Sequence, residues 1–202
     1  DYQKFSGGFE LERKTEGLAH RLDLGYYSVV FPNFQALSAQ QFGEEIKSGV
    51  NVLDFNALDG AYSFDWALTQ KTVIYGAVLQ SRRYYPDQFL VLPTGTYDVD
   101  KRKDTYAVAA AGVHQGLGDY APMGISFKPI VSLNFSYSLM DSNQNSFDSA
   151  KTFFTDGAYD YAETGVSPAA TFFMGKAQKI NFGYTGAWRQ YGTRVVQDKN
   201  GD

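Results

Sequence analysis

Cysteine is absent from this 202-residue chain, histidine occurs twice and methionine three times. Without cysteine there is no disulfide scaffold and no thiolate metal site, which fits passage through an oxidising periplasm. No apolar run approaches the roughly twenty residues of a membrane helix. Mean hydropathy is −0.33, so a helical membrane protein is excluded. A net charge of −4 lacks the basic excess that nucleic-acid partners require. Asp1-Tyr2-Gln3-Lys4 is already strand-like, and any export signal is expected outside this sequence. Aromatics, by contrast, are plentiful: 15 Tyr and 16 Phe. Membrane barrels carry such residues as interfacial girdles, although carbohydrate-binding sandwiches are aromatic-rich too.

Residues 125–140 alternate strictly. Ile125, Phe127, Pro129, Val131, Leu133, Phe135, Tyr137 and Leu139 are separated mostly by small or polar residues such as Ser126, Lys128, Ser132 and Asn134. Period two is the signature of a strand with one apolar and one wet face. At about fifteen residues it is two to three times a usual soluble strand, and long enough to cross a bilayer when tilted.

The same test yields about eight strands, near 2–14, 18–31, 55–69, 72–84, 103–117, 125–140, 158–173 and 178–190. In the fourth, Val73, Tyr75, Ala77 and Leu79 are placed outward. The fifth is rich in alanine, and its faces stay unassigned. Pro129 and Pro168 interrupt two strands and are expected at edges or bulges. Short turns fall near 15–17, 69–71, 118–124 and 175–177. Long polar loops fall near 32–54, 85–102, 141–157 and 192–202. Short turns at one end and long loops at the other is the plan of outer-membrane barrels.

The expected fold is therefore all-β, an antiparallel up-and-down transmembrane β-barrel. Both chain ends lie on the long-loop side, so the single unit 1–202 is read as a segment of a larger barrel. The lipid-facing candidates are Phe9, Leu22, Leu24, Phe64, Trp66, Phe127, Val131, Leu133, Phe135, Phe182, Tyr184 and Trp188. The lumen-facing polar candidates are Glu10, Glu12, Arg21, Asp23, Asp59, Asp65, Lys128, Asn134, Glu163, Lys179 and Arg189. These charges either pair across strands and line a wet lumen or set the selectivity of a pore.

Chemistry is sparse. His20 and His114 lie near short turns and are read as interfacial side chains, away from any catalytic dyad. The run from Asp141 to Asp148 copies the start of a calcium loop. It has Ser146 in place of the glycine and Thr152 in place of the closing glutamate, so turn chemistry is the expectation. No catalytic residue, metal or cofactor is assigned. Arg82-Arg83 beside Tyr84-Tyr85 at the long-loop rim suits either lipopolysaccharide phosphates or an ordinary interfacial belt.

Four stretches carry a family likeness: residues 51–60 (NVLDFNALDG), 81–88 (SRRYYPDQ), 141–145 (DSNQN) and 159–161 (YDY). From about residue 51 onward the chain resembles the outer-membrane β-barrel regions that follow periplasmic tetratricopeptide repeats in bacterial surface and export proteins. That resemblance implies a Gram-negative outer membrane and no enzymatic chemistry. Lipid and lipopolysaccharide would be the partners, with a periplasmic repeat domain or other envelope subunits beside them. The expected function is the membrane wall of a channel, export conduit or anchored assembly. The competing expectation is a soluble β-barrel or sandwich binding a small ligand or carbohydrate, with its apolar face inside.

Overall fold

The computed structural model describes residues 2–32, 53–121, 127–147, 153–174 and 178–193. Among them every regular element is a strand: β1 (Gln3–Thr15), β2 (Leu18–Val30), β3 (Phe55–Ala67), β4 (Thr72–Val91), β5 (Tyr97–Gly116), β6 (Phe127–Ser142), β7 (Ser146–Phe147), β8 (Phe154–Thr155), β9 (Tyr161–Met174), β10 (Gln178–Gly183) and β11 (Gly186–Tyr191). The long strands pair antiparallel in chain order, β1-β2-β3-β4-β5-β6-β9, and β10 and β11 both pair with β9. The result is an all-β, up-and-down sheet. It is open among the described residues: β1 has only β2 beside it, and β10 and β11 have only β9.

Antiparallel partners point to the same side, so the register assigns every side chain to a face. One face collects Phe9, Leu22 and Leu24, then Phe64, Trp66 and Val78, then Val131, Leu133, Phe135, Phe182 and Trp188. The other collects Glu10, Glu12, Arg21, Asp23, Asp59 and Asp65, with Lys128, Asn134, Glu163, Lys179 and Arg189. Apolar and polar sets stay apart most clearly in β1, β2, β3, β6, β10 and β11, and apart from the register shifts between β4 and β5 beyond Tyr84 the register passes from strand to strand without a slip. A slip of one residue anywhere would exchange the faces.

Burial follows an unusual pattern. Val29, Ala57, Tyr85 and Ala158 make up the buried apolar set, while Phe9, Leu58, Phe135, Phe182 and Trp188 are each more than half exposed. Sheets of soluble domains bury their apolar face under a second layer. Here no second layer covers it among the described residues.

Four sequence expectations need correction. The stretch near 85–102 is not a long loop. β4 continues to Val91 and β5 starts at Tyr97, with a tight turn between them closed by Leu92 N–H to Thr96 O (2.9 Å) and by Gly95 at φ 79°. Pro86 disguised the continuation. Around it β4 holds three more residues than β5 between the pairs Tyr84–Lys103 and Phe89–Lys101, a bulge where the missing proline N–H costs no ladder bond. The loop near 141–157 contains the small β7–β8 hairpin. In β4 the residues sharing the face of Leu133 are Ile74, Gly76 and Val78, whereas Val73, Tyr75, Ala77 and Leu79 lie on the opposite side. That strand is apolar on both faces, so alternation could not choose. In β5 the register resolves the alanine run, with Ala107, Ala109 and Ala111 on the face of Leu133 and Ala110 on the other.

The prolines sit in interior strands, at neither edge nor bulge. Tyr184 N–H donates to Pro168 O at 3.0 Å, but Pro168 has no N–H to return, and the last strand breaks there into β10 and β11 without changing register. Leu117 N–H likewise reaches Pro129 O at 3.0 Å, and the β5–β6 ladder ends at that step. The Leu117 carbonyl left over accepts the Tyr120 hydroxyl at 3.3 Å. The short turn at 175–177 and most of the loops at 32–54 and 192–202 lie outside the described residues.

Candidate functional site

The densest polar cluster lies on the polar face at the long-loop end, where β4, β5, β6 and the segment before β9 converge. It starts from two residues of β5. Arg102 and Asp104 are two apart and therefore share a side. The guanidinium grips the carboxylate through Nε (2.9 and 3.1 Å) and Nη2 (2.7 Å), and Nη1 donates to Gln88 Oε1 at 3.3 Å. Its flat faces are covered by Tyr85 and Tyr159, with ring centroids 4.6 and 4.5 Å away. The Asp104 side chain is 1% exposed. A charge so enclosed is tolerable only when fully paired. The Ser142 hydroxyl adds a bond to Asp104 Oδ1 at 2.6 Å.

Register and bulge together position the cluster. Tyr85 meets Arg102 by simple continuation of the Tyr84–Lys103 register, and the bulge brings Gln88 to it as well, which a regular ladder across β4 and β5 would not do. The loop after β6 closes it. Ser142 N–H donates to Asp160 Oδ1 (2.7 Å), Gln144 Nε2 to Phe89 O (3.0 Å), Asn145 Nδ2 to Val91 O (3.1 Å) and Gly157 N–H to Asn145 Oδ1 (3.1 Å). The amides of the calcium-like run are thus spent on backbone groups. Among the described residues, no cluster of His, Asp and Glu side chains is arranged to hold a metal. Asp160 has its carboxyl pushed above the ordinary carboxylate value, first by burial and then by Asp141, Asp156 and Asp104; the Ser142 N–H opposes this.

Next to this knot the same face carries polar atoms without partners. Asp59 and Ser81 are opposed across β3 and β4, and Arg83 follows two residues along. Asp59 Oδ1, Ser81 Oγ and Arg83 Nε are buried with no hydrogen bond, as is Asn134 Oδ1 farther along. Arg83 stands 5.4 Å over the Phe55 ring. The result is a strip with single buried atoms left unbonded, its Arg83 otherwise engaged with the Tyr27 and Tyr85 hydroxyls, beside a knot whose groups are all engaged. The sequence reading missed the knot because Arg102 and Tyr85 fell in the supposed loop, which separated them from Asp104 at the start of the expected fifth strand. The chemical signal was the Arg-Lys-Asp order at 102–104, with Tyr85 nearby.

The predicted lumen set divides. Arg189 pairs with Glu163 through Nε and Nη2, both at 2.8 Å, and Arg21 lies 3.6 Å from Glu10. Glu12 turns to Lys14 of its own strand (2.8 Å), and Lys128 takes Asp119 (3.1 Å). Lys179 lies 5.6 Å from the Phe173 ring. Asp23, Asp59 and Asp65 form no ion pair among the described residues. The histidines separate onto opposite faces: His20 Nδ1 is 2.6 Å from the Tyr62 hydroxyl, and His114 stacks on Tyr75 at 4.6 Å. The paired rim residues separate as well, with Arg82 and Tyr84 on the apolar face and Arg83 on the polar one.

No protein-family model, curated protein or solved structure matches this chain. Fold and site define a class in physical terms alone: among the described residues, an open antiparallel sheet with one uncovered apolar face and a polar face carrying a loop-fastening charge cluster.

Proposed function

We propose that this chain is part of the wall of a bacterial outer-membrane β-barrel, with its apolar face against lipid and its polar face lining the lumen. The carrying observation is the register, which gathers the large apolar side chains of β1, β2, β3, β6, β10 and β11 on one face left uncovered among the described residues. From Leu58 to Trp66 the apolar stripe of β3 spans roughly 27 Å at strand rise, which suits a tilted crossing of a band about 25 Å tall. Lipid supplies the cover that a second protein layer gives soluble sheets. A closed ladder satisfies the backbone, and the free edges of β1 and β10–β11 are where further strands would complete it.

On this reading the wall encloses a channel, export conduit or anchored assembly, and the likeness to barrels linked to tetratricopeptide repeats belongs to the same proposal. The Arg102 knot ties the β4–β5 turn and the β6–β9 loop over the lumen mouth. The polar strip of Asp59, Ser81 and Arg83 then lies on the path of whatever passes. The long-loop end faces outward.

An arginine scan tests the assignment. Val131→Arg or Leu133→Arg should cost roughly 2–4 kcal/mol at mid-depth, while Ser132→Arg on the other face is tolerated. Equal effects in a folding assay into bilayers would overturn the face assignment. The parent protein should also sediment with outer membranes and need detergent for release.

A further inference from the structure

The apolar face is not uniformly rough. Along β4 and β5 it sinks into a groove floored by Gly76, Val78, Ala107, Ala109 and Ala111. Tyr62 and Phe64 of β3 form one wall, and Phe135 and Tyr137 of β6 form the other. Two adjoining hollows make it up, of about 430 and 490 Å³, and they share Tyr62, Val78, Ala109 and Tyr137. The small residues are opposed pairs in the ladder, Gly76 with Ala111 and Val78 with Ala109, so the groove runs along the strands.

Followed toward the long loops, the same face changes character. Gln80 opposes Ala107, then Arg82 opposes Thr105, then Tyr84 opposes Lys103. Arg82 and Lys103 are both exposed and have no ion-pair partner among the described residues. Lys101 continues the column along β5, its ammonium 3.0 Å from the Phe89 ring centroid. A carboxylate shares this end of the face, Asp141, separated from Arg82 by Thr105. From the level of Gly76 to that of Arg82 is roughly 20 Å at strand rise, somewhat more than half the hydrocarbon core of about 30 Å. A dry groove of one leaflet's depth therefore ends in a column of cations.

We propose that this groove seats an acyl chain of a phosphorylated glycolipid of the outer leaflet, with its phosphates held by Arg82, Lys103 and Lys101. The inference rests on the apolar face being the lipid face. Charge complementarity selects the occupant. A neutral lipid or a second copy of the apolar face would leave the cations unused, and a column of three suits a headgroup bearing more than one phosphate. Arg and Lys are the side chains that bind phosphate through charge-assisted hydrogen bonds.

The full chain in detergent, titrated with lipid A, dephosphorylated lipid A and phosphatidylglycerol, tests this by native mass spectrometry. Lipid A should be retained best. Arg82→Gln with Lys103→Gln should cut its retention roughly tenfold or more without lowering the melting temperature of the lipid-free protein. Ala109→Leu, which fills the groove and leaves the cations, should weaken it as well. Equal retention of the dephosphorylated lipid, stronger retention of phosphatidylglycerol, indifference to the double variant, or a dimer formed in place of a lipid complex would each overturn the assignment. Failure of the lipid-face reading itself shows separately, as equal effects of Leu133→Arg and Ser132→Arg.

Discussion

The two faces of this sheet solve opposite problems. On the apolar face large side chains such as Phe135 and Phe182 stand exposed and make few specific contacts. They need a nonpolar surrounding and little else, and many arrangements would satisfy them. On the polar face at the loop end, Arg102 and Asp104 are enclosed and every group has an assigned partner. The first kind of order is statistical, carried by pattern. The second is specific, carried by a handful of distances. Local damage should therefore be spread thin on the apolar face and concentrated in the knot.

The sharpest way to break that comparison is Asp104→Ala. It strands the Arg102 guanidinium between Tyr85 and Tyr159 with only Gln88 to receive a hydrogen bond. Removing one partner of a buried ion pair typically costs about 3–5 kcal/mol. Urea unfolding in micelles should show that loss, with earlier proteolysis of the 141–157 loop. A change below about 1 kcal/mol, the range of an exposed pair, would mean the knot is solvated and ordinary.

The next test sets one glycine on each face against the other. Gly112, on the polar face, lies beneath the Tyr75 ring, and a Cβ there would also come within 2.6 Å of the Leu133 carbonyl oxygen. The ring can move, but the backbone cannot. Gly76, on the apolar face, lies beneath Phe64, whose ring edge would stand 2.6 Å from the added carbon and is free to swing. Gly112→Ala should cost about 1–3 kcal/mol as overpacking, and Gly76→Ala clearly less. Thermal melts of the two variants, reversed in order, would refute the claim that the polar face is the rigid one.

What the sequence made legible follows the same division. Alternation is a property of single strands, so β6 and the β10–β11 strand could be read directly, with Ile180, Phe182 and Trp188 opposing Lys179, Asn181 and Arg189. Assigning the faces of β4 and β5 required partners. Val73, Tyr75 and Leu79 are as apolar as Ile74 and Val78, and only the pairing with Val113 and His114 tells the sets apart. The knot was hidden for a different reason. Pro86 and the charged run Asp98–Asp104 have the composition of a loop, yet a bulge lets the ladder resume beyond the proline. Long-range side-chain pairing, such as Ser142 with Asp104 across 38 residues, leaves no mark in local pattern.

The smallest effect concerns Asp160, at the border of the knot and outside the strands. Its Oδ1 accepts the Ser142 N–H, while burial and the carboxylates of Asp141, Asp156 and Asp104 raise its pKa above the ordinary 3.8. For an acid raised in the folded state, the native protein holds a proton over a pH window in which the unfolded chain has lost it. Its contribution to stability is then complete below the unfolded value and disappears as pH rises through the folded one. Asp160→Asn keeps an acceptor for Ser142 and removes the charge. The variant should therefore match or slightly exceed the parent in melting temperature at pH 7, and that margin should close as the pH falls toward 4. A parent more stable than the variant at neutral pH would mean that the Ser142 bond to the charged form outweighs burial and repulsion, and that Asp160 belongs with the fully satisfied groups of the knot.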